Sequence, residues 1–222
     1  MKGYKGIIFD LDGTLLNTLE DLTDAVNVTM VKFGLDEKTI SQVRSYVGNG
    51  VAQLIALCLE DGAAHPDYHA VHDAFVSYYD ANCNHKTGLY DGVDTLLASL
   101  HQEGRKLAIV SNKIDSAVKI LNTLYFSQWI DFALGVTDHI KRKPAPDMVL
   151  HCLEDMKLAP HEVVYVGDSE VDLQTARNAG IDCISVDWGF RNRDCLISNG
   201  ASIIVSDAVA LEKVISGEKK PC

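Results

Sequence analysis

No run of eighteen or more apolar residues occurs anywhere in the 222-residue sequence, which excludes a helical membrane span. The N-terminal MKGYKGIIFD has a brief basic start, but its apolar run is too short for a secretory signal and ends in aspartate. A cytoplasmic location is expected. Cysteine pairs are missing too. The six cysteines (Cys58, Cys83, Cys152, Cys183, Cys195, Cys222) stand apart with no C-x-x-C spacing. They read as free, mostly buried thiols rather than a zinc site or a disulfide framework. There is no basic stripe: the formal net charge is −11, and the densest cationic run is KRK at Lys141–Lys143. General nucleic-acid binding is therefore not expected. No internal repeat or low-complexity tract is present, apart from a polar tail, SGEKKPC at 216–222, expected to fray. An acidic chain that takes an anionic substrate needs a local device, such as a metal ion, a positioned lysine or a helix N-terminus.

What is present is a hydrophobic content of 47%, ordinary for a globular protein, and a length that suits one large domain or a core with a small insertion. Five short apolar segments read as buried strands: GIIFD ending at Asp10, LAIVSN at 107–112, VVYVGD at 163–168, CISVDW at 183–188 and SIIVSD at 202–207. They do not alternate. Continuous apolar runs are what a parallel sheet covered on both faces requires. Between them lie helical patterns: VDTLLASLHQEG, DSAVKILNTL, PDMVLHCLEDMKL and EVDLQTARNAG. The first and last stop at glycine, Gly104 and Gly180. This order predicts an α/β, doubly wound parallel sheet. Residues 18–85 break the rhythm with helical periodicity and no convincing strand. They are expected to form a small all-helical domain inserted after the first strand, with the α/β core made of 1–17 and 86–222.

Polar groups follow the strands. Asp10 ends the first, with Asp12 just beyond. Ser111, Asn112 and Lys113 end the second. KPAPD (Lys143–Asp147) precedes a helix, and GDSEVD brings Asp168, Ser169, Glu170 and Asp172. Ligands bind at the carboxyl ends of strands in an open parallel sheet, so these groups should converge on one edge. Asp10 and Asp168 offer hard oxygen ligands suited to Mg2+. A carboxylate held against phosphate can attack phosphorus. Asp12, in a different environment, could give a proton to the leaving alkoxide and then take one from water. Ser111 and Asn112 offer neutral donors to phosphate oxygens. Lys143 would offset carboxylate charge and bind the developing phosphoryl charge.

Each piece alone has an ordinary reading. A lone D-x-D is often a solvated turn, SNK a helix cap, Lys143 a surface lysine, and GDSEVD a helix start capped by Ser169. An EF-hand loop fails because Leu15 stands where its glycine is required. GNG at Gly48–Gly50 is not a dinucleotide loop: Gln53 replaces the third glycine and no strand precedes it. It is either a helix-breaking turn or a place where Asn49, Gly50 and nearby amides meet the far end of a substrate. Arg191 could reach a substrate carboxylate or be an ordinary surface arginine. His65, His69 and His72 have metal-like spacing, but Pro66–Asp67 suggests a loop entering a solvated helix.

Taken in order, FDLDGTLLNT, SNK, KPAPD and GDSEVD resemble the four motifs of the haloacid dehalogenase superfamily of phosphotransferases, over essentially the whole chain. The resemblance implies a Rossmann-like core with a helical cap that closes over the site and carries specificity. It implies Asp10 as nucleophile and Asp12 as general acid/base, with Ser111 and Lys143 on phosphate. It also implies magnesium held by Asp10, the Asp12 backbone carbonyl and Asp168, with Asp172 and Ser169 supporting from outside. The aspartate at position 12 favours phosphate esters, since members lacking an acid there do other chemistry. The segments YVGNGVAQLI and WGFRNRDCLISNGASIIVSD look like the phosphoglycolate phosphatase subgroup. The expectation is thus a magnesium-dependent phosphomonoesterase acting on a small phosphorylated metabolite, with 2-phosphoglycolate foremost, as a monomer or weak homodimer. An inorganic pyrophosphatase, a nucleotidase or a sugar phosphatase on the same scaffold is the alternative. A phosphate-sensing protein without turnover is the non-enzymatic one.

Overall fold

The structure, a computed structural model, describes residues 3–217. Most of the polar tail expected to fray, including Cys222, lies outside the described residues. The chain divides into two compact units, one running to Leu16 and resuming at Leu89, the other spanning Asn17–Gly88.

The first unit is built on a six-stranded parallel sheet. Its strands are β1 (Gly6–Phe9), β4 (Lys106–Ile114), β5 (Phe132–Val136), β6 (Val163–Gly167), β7 (Asp182–Val186) and β8 (Ile204–Val205). Their order across the sheet is β5-β4-β1-β6-β7-β8, every neighbouring pair parallel. From β1 the chain builds outward to β4 and β5, then returns to the other side of β1 with β6. The reversal falls between β1 and β6, the place where such sheets open a ligand crevice.

The absence of alternation in the strands has its cause here. All four residues of β1 and all five of β6 are buried, because helices cover both faces. On one face Ile8, Val110 and Tyr165 pack with Met148, Val149 and Cys152 of α7 (Asp147–Met156) and with Ala176 and Ala179 of α8 (Glu170–Ala179). On the other, α5 (Val93–Gln102) and α10 (Ala208–Ile215) pack together and bury Leu96, Leu97, Leu100, Leu211 and Ile215. Each fully buried aliphatic side chain contributes about 1.5–3 kcal/mol. The α8 helix ends where the sequence predicts, at Gly180, whose φ of 69° satisfies the left-handed cap.

Two strands differ from the sequence reading. β5 is not signalled by the sequence, because FALGV is an edge strand containing alanine and glycine rather than a β-branched run. The last strand is expected over six residues, yet only Ile204 and Val205 pair, at the opposite edge.

The second unit contains α1 (Leu19–Lys32), α2 (Ile40–Tyr46), α3 (Val51–Cys58) and α4 (Tyr68–Asn82). Its core holds Val26, Met30, Val43, Ile55, Val71, Phe75 and Tyr79, with Phe75 and Tyr79 stacked at 5.5 Å. Thr39 caps α2 in a capping box with Gln42. Buried Asp21, in the first turn of α1, accepts from the backbone amides of His85, Lys86 and Thr87 and from the Thr87 hydroxyl. Two-residue strands β2 (Leu16–Asn17) and β3 (Gly88–Leu89), where the chain crosses between units, pair with each other. Among the described residues no helix is long and apolar enough to cross a membrane.

Candidate active site

Asp10 leaves the end of β1 with its amide still donating to Val166 O of β6 (2.9 Å). The chain then turns at once: Leu11 O accepts from the amides of Thr14, Leu15 and Leu16, and Gly13 takes a φ of 88°. This turn lays Gly13 against Asp168 at the end of β6. A Cβ on Gly13 would collide with the Asp168 carboxylate, and one on Gly189 would stand 2.5 Å from Asp168 Oδ2 and strike the Gly13 carbonyl. One on Gly167 would stand 2.5 Å from Asp172 Cβ. Glycine at these positions is a condition of bringing the acidic groups together.

The acidic groups are Asp10, Asp168 and Asp172. All three are buried, and each offers a ligand atom within 4.8 Å of the others. Lys143, 2% exposed, sits among them. Its Nζ lies 2.9 Å from Asp10 Oδ1 and 2.7 Å from Asp172 Oδ1, and donates to Tyr165 Oη at 2.9 Å. The Tyr165 hydroxyl in turn donates to Val110 O (2.7 Å). Ser169 caps α8, and its amide and hydroxyl both donate to Asp172 Oδ2, at 3.1 and 2.6 Å. Both oxygens of Asp172 are therefore occupied. Asp168 Oδ2 accepts from the Phe190 amide (2.7 Å), and Thr14 Oγ1 reaches Asp168 Oδ1 at 3.4 Å.

Three carboxylates are buried together and Lys143 pairs with two of them, Asp10 and Asp172, and the proton affinities reflect that. Burial pushes Asp10 up to about 6; Lys143 pulls it down, while Asp172 and Asp12 push it up. Burial, then Asp172 and Asp10, raises Asp168 well above the ordinary carboxylate range, with the Phe190 amide opposing. Burial disfavours the Lys143 charge, but Asp10 and Asp172 outweigh it and hold the amine well above its usual range. A surplus of buried oxygen charge with two ligand-bearing aspartates, Asp10 and Asp168, fits a small hard divalent cation.

The second strand delivers its groups through an irregularity. Between Val110 and Ile114 the register of β4 against β5 slips: Val110 pairs Leu134, yet Ile114 pairs Val136. The intervening segment passes so close over Gly135 that a Cβ there would stand 2.5 Å from Asp115 Cα. Ser111, Asn112 and Lys113 are all buried in this segment. Ser111 Oγ accepts from the Lys113 amide (3.4 Å), and Asn112 Nδ2 donates to Lys143 O (3.0 Å), tying the β4 end to the Lys143 segment. Lys113 Nζ reaches across to Asp12, 2.8 Å from Oδ1 and 3.2 Å from Oδ2.

The structure thus joins Asp10, Lys143, Asp172, Ser169 and Asp168 in one cluster, with Asn112 tied to its edge. The Asp12 carboxylate is held outside the acidic trio by Lys113. Asn49 and Gly50 belong to the second unit, on the turn between α2 and α3, where Gly50 has a φ of 80°. Arg191 pairs with Glu170 at 2.9 and 3.2 Å. Sequence reasoning assigned no role to Lys113, Tyr165 or the glycines around Asp168 and Asp172. Lys113 was visible as the last letter of SNK; Tyr165 and the glycines gave no signal beyond their strands and turns.

The family model for haloacid dehalogenase-like hydrolases matches residues 7–186. The chain belongs to the haloacid dehalogenase-like hydrolases. Curated relatives within reach of this hydrolase include the phosphoglycolate phosphatase of Aquifex aeolicus, 32% identical over 92% of this chain and 95% of its own. That of Cereibacter sphaeroides is 33% identical over 84% and 87%. A crystal structure of a provisionally named phosphoglycolate phosphatase from Lactobacillus delbrueckii subsp. bulgaricus is 38% identical, covers 97% of this chain and 100% of its own, and superposes with a TM-score of 0.92. CbbY from Rhodobacter sphaeroides, solved in complex with phosphate, is 25% identical over 94% and 96%, with a TM-score of 0.79. The chain is an enzyme of this hydrolase family, and its core has that family's fold.

Proposed function

We propose that this hydrolase is a magnesium-dependent phosphomonoesterase that cleaves a small phosphorylated metabolite, 2-phosphoglycolate foremost, through an aspartyl-phosphate on Asp10. The observation that carries the reading is the buried trio Asp10, Asp168 and Asp172 at the carboxyl edge of the sheet, with buried Lys143 paired to Asp10 and Asp172. The names of relatives near 32–33% identity support the substrate.

Asp10 and Asp168, with the Asp12 backbone carbonyl, would hold Mg2+; when bound, it neutralises charge on the transferring phosphoryl group. An Asp10 oxygen attacks phosphorus and the ester P–O bond breaks. Asp12 gives its proton to the departing alkoxide. Water then attacks the aspartyl-phosphate, Asp12 takes a proton from it, and the P–O bond to Asp10 breaks, releasing phosphate. Lys143 and Ser111 bind the phosphoryl oxygens, and Asn112 steadies the Lys143 segment. Tyr165 and Asp172, the latter held by Ser169, fix where the Lys143 ammonium points. The helical unit is assigned the choice of substrate, with Asn49 and Gly50 as its candidate specificity residues. The enzyme works in the cytoplasm; the five cysteines among the described residues form no disulfide, which suits a reducing compartment.

The test is phosphate release from a panel of 2-phosphoglycolate, pyrophosphate, nucleotides and sugar phosphates, with and without magnesium, for wild type and Asp10→Asn. Magnesium-dependent release from 2-phosphoglycolate, lost in the variant, is expected. Full activity in Asp10→Asn, or release confined to pyrophosphate, would overturn the nucleophile or the substrate respectively.

A further inference from the structure

Two lysines enter this site, and they serve different carboxylates. Lys143 is committed to Asp10 and Asp172. Lys113 is committed to Asp12, its side chain 3% exposed and its Nζ within 3.2 Å of both carboxylate oxygens. We propose that Lys113 is a positioning residue for the proton transfer, holding the Asp12 carboxylate where it can reach the leaving oxygen. The proposal rests on the reading of Asp12 as the general acid/base.

The geometry argues for position rather than stability. Asp12 lies on the tight turn after β1, beside Gly13, and its side chain is 15% exposed. An aspartate on such a turn has several rotamers open to it. A lysine gripping both oxygens removes most of them. Burying an ammonium costs desolvation that one pairing seldom more than offsets, so the pair is poorly explained as a stabilising device. The route that brings Lys113 there is also specific. It needs the slipped register of β4 and the bare Gly135 beneath it. The two contacts are unequal, 2.8 Å to Oδ1 and 3.2 Å to Oδ2. Oδ1 is the anchored oxygen. The longer contact to Oδ2 is the one given up when that oxygen carries the proton that passes to the alkoxide as the ester P–O bond breaks, and when it receives one from water in the second half-reaction.

A lysine that simply bound phosphate would matter equally for every ester. A lysine that aims Asp12 matters most where the leaving group needs a proton. The experiment is single-turnover release of the leaving group by wild type, Lys113→Met and Lys113→Arg, with magnesium. It compares 2-phosphoglycolate, whose alkoxide must be protonated, with p-nitrophenyl phosphate, whose phenolate departs unaided. General acid–base contributions run to about 10²–10⁴-fold. The loss in Lys113→Met on the alkyl ester is expected to exceed the loss on the aryl ester by about tenfold or more, with partial rescue by arginine. In an Asp12→Asn background the same substitution adds little further loss, because the group it aims is gone. Equal losses on both esters, or full additivity with Asp12→Asn, would overturn the proposal. Wild type that turns over neither ester would instead overturn the phosphatase reading beneath it, and the proposal with it.

Discussion

Replacing Lys143 by methionine isolates the electrostatic logic of the site. The ammonium is 2% exposed and contacts Asp10 at 2.9 Å and Asp172 at 2.7 Å. Methionine keeps most of the stem volume, so the cavity contribution is small. What remains is a cluster of buried carboxylates without their cation. Breaking a buried ion pair from one side costs about 3–5 kcal/mol. In a chain of this length each kcal/mol moves Tm by about 2–4 °C, so a fall of about 6–20 °C is expected in metal-free protein at pH 7.5. The deficit must also depend on pH. Native Asp10 is raised from 3.8 to about 6, chiefly by burial. Between those values the folded state holds a proton that the unfolded chain has lost. Stability therefore falls as pH rises through that window, by about 3 kcal/mol for Asp10 alone. Lys143 opposes the shift, so its removal moves Asp10 further up. The variant's deficit is therefore largest at pH 7.5 and shrinks toward pH 5, where Asp10 is largely protonated in both proteins and only the lost pairing with Asp172 remains. Scanning calorimetry in chelator at the two pH values measures this. A deficit of the same size at both, or a Tm within about 2 °C of wild type at pH 7.5, would refute the reasoning.

Magnesium at about a hundredfold excess over its Kd should stabilise the wild type by about 2.7 kcal/mol, or about 5–10 °C. A thermal-shift titration in which Asp168→Asn gains as much would contradict the ligand assignment. Gly189→Ala puts a Cβ 2.5 Å from Asp168 Oδ2, so the carboxylate must move by about 1 Å, and a shift of that size should cost about 10²-fold in kcat. Steady-state kinetics would show this, and an unchanged kcat would mean that Asp168 does not need its seat. Asp21→Ala removes the acceptor of the His85, Lys86 and Thr87 amides. It should cost about 2–4 kcal/mol and speed hydrogen exchange at those amides, and unaltered exchange would count against the clamp.

The core strands were legible because each is a short apolar run ending in a polar residue. Only a sheet covered on both faces lets Ile7, Ile8 and Phe9 all be buried. β5 was not legible, since an edge strand needs no β-branched run and Gly135 is there for the chain that crosses it. The cluster around Asp10 could be read because topology brings strand ends together whatever the loops do. The finer wiring could not. Tyr165 reads as one more apolar strand residue, yet its hydroxyl accepts from Lys143. The lysine of SNK reads as a helix-cap neighbour, and only the slipped register turns it toward Asp12. Such contacts depend on side-chain direction at irregular backbone, which periodicity does not encode.

The most direct test of the account is to quench the enzyme in acid during turnover of 32P-labelled substrate with magnesium and to map the label. A base-labile phosphate on the peptide containing Asp10, absent in Asp10→Asn, is expected. Label on any other residue, or turnover at full rate with no protein-bound phosphate at any time, would contradict it.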